Sequence, residues 1–153
     1  SSGSPDVAAT RVAAYVDALV AALDAALSVP VFDGPPLTGE PQGDFVAVGW
    51  SPFNPDELPA VSVERDWSAG EGAYAVETFV VVGCAVSQSG DVDLSARRLA
   101  AAALLEDVAA VVDTLTVTGV HWGRVRDAQL NQSQTSDGSA AGFDWSVQVS
   151  ADA

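Results

Sequence analysis

The segment AYAVETFVVVGCAV, residues 73–86, constrains this chain more than any other. It is apolar on both faces over much of its length. A strand with one wet face would alternate, so this one belongs in the centre of a sheet, covered on each side by helices or by another subunit. Its longest unbroken apolar run in a strand context, residues 79–82, is far too short to span a bilayer.

The flanking sequence builds outward from that strand. In AVSVERDW, residues 60–67, Val61, Val63, Arg65 and Trp67 alternate with Ser62, Glu64 and Asp66, and SAGEG, residues 68–72, supplies a hairpin turn. SGDVD, residues 89–93, ends the apolar strand and offers Asp91 or Asp93 as a helix cap. A helix then runs to about Thr114, with Leu94, Ala101, Leu104, Leu105, Val108, Val112 and Leu115 as its apolar stripe. Arg97 and Arg98 lie in its first turns, where the helix dipole disfavours cations, so carboxylate partners are expected.

At the other end, Ser4-Pro5-Asp6 predicts a helix start, and Val12, Val16, Leu19, Leu23 and Leu27 extend the helix over 5–27. Short strands follow at 29–32 and 45–50. In the last third, Val120, Trp122, Arg124 and Arg126 share one strand face. A turn is expected at Asp137-Gly138, and Phe143, Trp145, Val147 and Val149 alternate with polar residues. The order predicts an α+β fold: a mostly antiparallel or mixed sheet with two helices packed on it. No repeat or second domain shows, so 1–153 reads as one domain with residues 1–4 flexible.

Within VPVFDGPPLTGEPQGDFVAVGW (residues 29–50), the connection between the first two strands carries three glycines (Gly34, Gly39, Gly43) and three prolines (Pro35, Pro36, Pro41) and is too long for a hairpin loop. A second Pro-rich loop covers residues 51–59. Stiff loops of this kind suit interaction surfaces, because a preorganised loop loses less entropy on docking. Asp33, Pro35 and Pro36 in the first loop, and Trp50 and Phe53 at the second, are the candidate contact residues. Phe53 sits outside any periodic pattern; it either anchors a partner or pins the loop to its own domain. QLNQSQT, residues 129–135, is an amide-rich strand that reads as a solvated strand end or as an edge open to a neighbouring subunit, with Gln132 and Gln134 as contacts.

Charge narrows the partners. Twenty-one acidic residues face six basic ones, all arginine, for a net charge of -15. Phosphate backbones and anionic membranes bind through cations, so neither is an expected partner surface. The chemistry-bearing residues are few. The N-terminal SSGSPD has neither the basic start nor the apolar core of a signal peptide. Cys84, the single cysteine, lies in an apolar run and reads as a small buried hydrophobe rather than half of a disulfide. Cys84 with His121, the single histidine, is the one conceivable nucleophile–base pair; a core thiol and a rim imidazole are the simpler reading. Asp91-x-Asp93 lacks the rest of a calcium loop, and VVVGCAVSQSG lacks the spacing and lysine of a phosphate loop. No catalytic group, cofactor or metal is expected. A small acidic hydrolase or ligand-binding module stands as the alternative, signalled by a polar pocket that gathers His121, Cys84 or a carboxylate pair.

Several motifs together resemble the tail terminator proteins of long-tailed, lambda-like bacteriophages, especially those of actinobacteria. They are a long first helix leading into VPVFDGPPL, then DFVAVGW, VERDW, ETFVVVGCAV, SGDVDLSARRLAAAALLEDV and QLNQSQTSDGSAAGFDWSVQV, over roughly residues 8–150. The resemblance implies a hexameric ring that caps the tail tube protein, stops tube growth and joins the tail to a head-side connector or stopper protein. The genome then passes through the lumen without specific binding. It places the protein in the virion, at the tail or neck, after assembly in the host cytoplasm. Other neck proteins, such as head–tail connectors and tail completion proteins, share overlapping patterns.

Overall fold

The computed structural model describes residues 10–37, 41, 43–55, 60–67 and 75–152. Its elements are α1 (Val12–Ala26), β1 (Val31–Asp33), β2 (Phe45–Val48), β3 (Val61–Trp67), β4 (Ala75–Ser89), α2 (Leu94–Thr114), β5 (Val120–Thr135) and β6 (Gly138–Asp152). The strands form one six-stranded mixed sheet in the order β1-β2-β4-β6-β5, with β3 also on β4. β3 and β2 lie end to end along one edge of β4, against residues 75–81 and 83–86, and β6 takes the other edge over 76–89. The two-sided apolar strand is therefore central, and the class is α+β as the element order predicts.

The long first loop has a topological cause. β1 and β2 are parallel neighbours, with Val31 opposite Val46 and Asp33 opposite Val48. Parallel strands cannot be joined by a tight turn, so the chain must travel back past the sheet end before β2 begins. Gly34, at φ 82°, makes the first reversal in a region L side chains avoid, and its N–H bonds to the Val48 carbonyl at 2.7 Å.

One face of the sheet meets both helices. Phe79, Val81 and Ala85 of β4 and Trp145, Val147, Val149 and Ala151 of β6 pack with Tyr15, Leu19 and Leu23 of α1 and Leu104, Val108 and Val112 of α2. Tyr15 meets Phe79 edge-on at 5.7 Å, and burial pushes its phenol up to about 12. Gly83 makes room for the largest core ring. A Cβ there would lie 2.3 Å from Trp145 Cζ2 and 2.5 Å from the Ala47 carbonyl oxygen.

The opposite face is covered over part of its length. Phe45, Ala47, Cys84 and Val86 form a small second core under Phe32, Trp50 and Phe53. Among the described residues that cover thins towards the start of β4: Val80 and Val82 are half-buried and Val76 is 38% exposed.

Four sequence expectations need correction. Thr10 and Arg11 are not helical, and α1 starts at Val12, with residues 4–9 outside those described. The reason is Glu77, whose buried Oε1 accepts from Thr10 Oγ1 at 2.8 Å and from the Arg11 N–H at 3.0 Å, fixing the chain just before the helix. The strict alternation through Val120–Arg126 fails because register shifts at Val120/Trp122 and Val125/Asp127 interrupt it, so Val120 packs on the main core instead of sharing a face with Trp122. The β5–β6 turn consists of Ser136 and Asp137, since Thr135 already pairs with Gly138. Among the described residues Arg97 and Arg98 find no carboxylate hydrogen-bond partner: Arg97 donates to Ser87 Oγ at 3.1 Å and Arg98 to Gln132 Oε1 at 3.3 Å. Ser87 in turn donates to Asp44 at 2.9 Å, so the acid reaches Arg97 through a hydroxyl. The cap itself is as expected: Asp93 accepts from the Ala96 N–H at 3.1 Å.

Candidate functional site

The second Pro-rich loop folds onto the face away from the helices, and one carboxylate holds it there. Asp144 of β6 accepts from the Ser51 hydroxyl, from Asn54 Nδ2 at 2.5 Å and from Asn131 Nδ2 at 3.1 Å. Ser51 Oγ also receives the Phe53 N–H at 3.2 Å. These bonds close a turn that lays Phe53 over Gly142, where a Cβ would come within 2.7 Å of the ring. Trp50 stands beside Phe45 with ring centroids 6.5 Å apart. Residues 56–59 of this loop lie outside the described ones.

A cleft of about 140 Å³ opens beside the loop, lined by Trp50, Ser51, Asn54, Asp127, Asp144 and Ser146 among others. Its lining is more apolar than polar, and its acids are engaged: Asp127 accepts from Ser146 Oγ at 2.8 Å, and Asp144 holds the three donors above. Cys84 lies nearby. Burial, then the negative charge of Asp144, pushes its thiol up to about 12, so it is protonated at neutral pH and a poor nucleophile. His121 is elsewhere, with its Nε2 2.8 Å from Asp152 Oδ1. Cys84 pairs with Asp144, eight residues from Asp152 along β6, which at ~3.3 Å per residue separates thiol and imidazole by about 26 Å. Among the described residues no group of three or more His, Cys, Asp or Glu is placed to hold a metal ion. Asp91 accepts the Asp93 N–H at 3.1 Å, a turn beside the helix cap.

The candidate contact residues fall on two separate surfaces. Asp33 and Pro35 are exposed at the end of β1, with Pro36 half-buried beside them; residues 38–40 and 42 lie outside the described set. Asp44 and Gln88 tie the far end of that loop to β4: Asp44 Oδ1 accepts from the Gln88 N–H at 3.2 Å, and Gln88 Nε2 donates to the Pro41 carbonyl at 2.6 Å. Trp50 and Phe53 are half-buried in the second core. Gln132 and Gln134 are exposed on β5 but reach the α2 side, Gln134 donating to the Val92 carbonyl at 2.9 Å. Sequence reasoning missed Asp144 as the hub, because its partners Ser51 and Asn54 are 90 or more residues away. It also missed Glu77, a lone acid inside the apolar strand, which was the available signal.

Phe53→Ala is expected to lower stability by about 2 kcal/mol, less than the ~3–5 kcal/mol for a fully buried aromatic because the ring is only half-buried. Urea unfolding measures it, and an unchanged midpoint would show that the ring contributes nothing to its own domain.

The chain matches no protein-family model, and it matches no curated protein. Among solved structures it is similar to a chain in the virion of a native gene transfer agent particle. The TM-score is 0.51 at 18% identity, over 88% of this chain and 91% of that one. The likeness is one of fold. Among the described residues no helix is long and apolar enough to cross a membrane.

Proposed function

We propose that the protein is a structural component of a phage-type virion and acts there as a tail terminator. Six copies form a ring that caps the tail tube protein, ends its growth and joins the tail to the head-side connector or stopper, with the genome passing through the lumen. The observation that carries this reading is the fold shared, nearly end to end, with a chain of a gene transfer agent virion. The resemblance of its motifs to tail terminators of actinobacterial phages narrows it to that role. Another neck role, connector or tail completion, is the nearest alternative.

The chemistry fits assembly better than catalysis, since the thiol is protonated and the imidazole lies far from it. The -15 charge suits a passage for DNA, because a surface poor in cations gives phosphates nothing to release counterions against. The exposed Asp33 and Pro35, the outer edges of Trp50 and Phe53, and Gln132 and Gln134 are the contact surfaces we assign to neighbouring virion proteins.

The test is tube growth. Tail tube protein polymerising with this protein present is expected to give shorter tubes with a ring at one end in negative-stain micrographs. Tubes of unchanged length with bare ends would contradict the terminator role.

A further inference from the structure

Among the described residues, the half of the sheet face away from the helices that lies towards the start of β4 carries acids on one edge and an arginine on the other. Across it, pairing places Asp66 beside Val76 and Asp152, Glu64 beside Thr78, Ser150 and Trp122, and Ser62 beside Val80, Gln148 and Arg124. One edge is β3, with Glu64 and Asp66 exposed; the other is β5, with Trp122 44% exposed and Arg124 exposed. Neither Glu64, Asp66 nor Arg124 has a hydrogen bond or ion pair among the described residues. They cannot satisfy one another within a chain: three strand spacings separate β3 from β5, about 14 Å.

We propose that the β5 edge of one copy pairs with the β3 edge of the next, setting Arg124 against Glu64 and Asp66 of the partner, and that this contact closes the ring. The occupant of each edge is a second copy of this chain. The inference rests on the ring reading above and adds the surface that forms it.

Strand direction supports the pairing. β5 pairs antiparallel with β6, β6 with β4, and β4 with β3, so β5 and β3 run oppositely. Placed side by side with their faces aligned, they extend the sheet as an antiparallel ladder. Two different edges meeting is a heterologous contact, the kind that propagates around a ring. The two register shifts bracket the run from Trp122 to Val125, which stays regularly paired between them. An exposed tryptophan beside an unpaired arginine is the composition of an interface anchor. In a chain with 21 acids and six arginines, an unpaired arginine on an edge strand is also a scarce cation set where the next copy offers carboxylates.

Charge reversal tests this directly, with native mass measured for the protein alone and bound to tail tube ends. Arg124→Glu and Glu64→Arg are each expected to lose the ring when alone, at least ten-fold in ring fraction. Mixed together, they are expected to regain it as even-numbered rings, since each contact then joins opposite charges. The double variant in one chain is expected to form rings like the wild type. Wild-type rings with single variants that still close normally, or with a mixture that fails to recover, would overturn this interface and leave the ring reading standing. Wild-type monomers both alone and on tube ends would overturn both.

Discussion

Trp145→Ala is expected to lower the free energy of unfolding by about 3–5 kcal/mol, the range for truncating a large core aromatic. Trp145 is 1% exposed and sits on β6 where both helices meet the sheet. Its ring passes over Gly83, and the space it leaves is bounded by backbone, including the Ala47 carbonyl, that cannot collapse inward. A domain of this kind has about 5–15 kcal/mol in total, so the variant would retain a fraction of it. Urea denaturation followed by far-UV circular dichroism gives the number. A loss under about 1 kcal/mol would contradict the packing described here.

Glu77→Ala is expected to cost about 3 kcal/mol, through a different cause. Glu77 is fully buried in the central strand. Burial alone would push its carboxyl up, but hydrogen bonds from the Arg11 N–H, Thr10 and Arg65, with the Arg65 charge, outweigh burial and hold it below the usual carboxylate range. Arg65 Nε donates at 3.1 Å from β3, directly opposite Glu77 in the ladder. Removing the carboxylate strands these donors. Breaking a buried pair can cost about 3–5 kcal/mol, and the lower figure applies because Arg65 is 33% exposed and water can reach it. The sign with pH follows from the lowered value. The contribution is complete above the unfolded carboxylate value of about 4.3 and is lost as pH falls through the folded value. The stability gap between wild type and Glu77→Gln should therefore be fully open at about pH 7 and narrow steadily as pH falls below about 4.3. A gap that stays constant down to about pH 3 would mean that the carboxylate is not held as described.

The parts of the fold that were legible in the sequence are those set by local period. The two-faced run around residues 75–86 located the central strand, and the apolar stripe with Asp91 or Asp93 as its cap located α2 closely. What was not legible depends on partners far along the chain. The length of the first loop follows from β1 and β2 being parallel, which no local pattern states. The start of α1 is displaced by Glu77, 66 residues away from Arg11. The arginines of α2 were expected to meet carboxylates and met a serine and a glutamine instead, because α2 lies over the ends of β4 and β5 where those side chains project. For the candidate surfaces, sequence marked Trp50 and Phe53 as unusual. It could not show that Asp144 draws their loop down onto the sheet, nor that a register shift turns Val120 away from the face that Trp122 and Arg124 share.

The central claim is that this chain works as a closed ring in a virion, and native mass spectrometry tests it most directly. The account predicts a species of six copies of 15.6 kDa, about 94 kDa, in solution or released intact from tail tube ends. A 15.6 kDa monomer in both settings would contradict it.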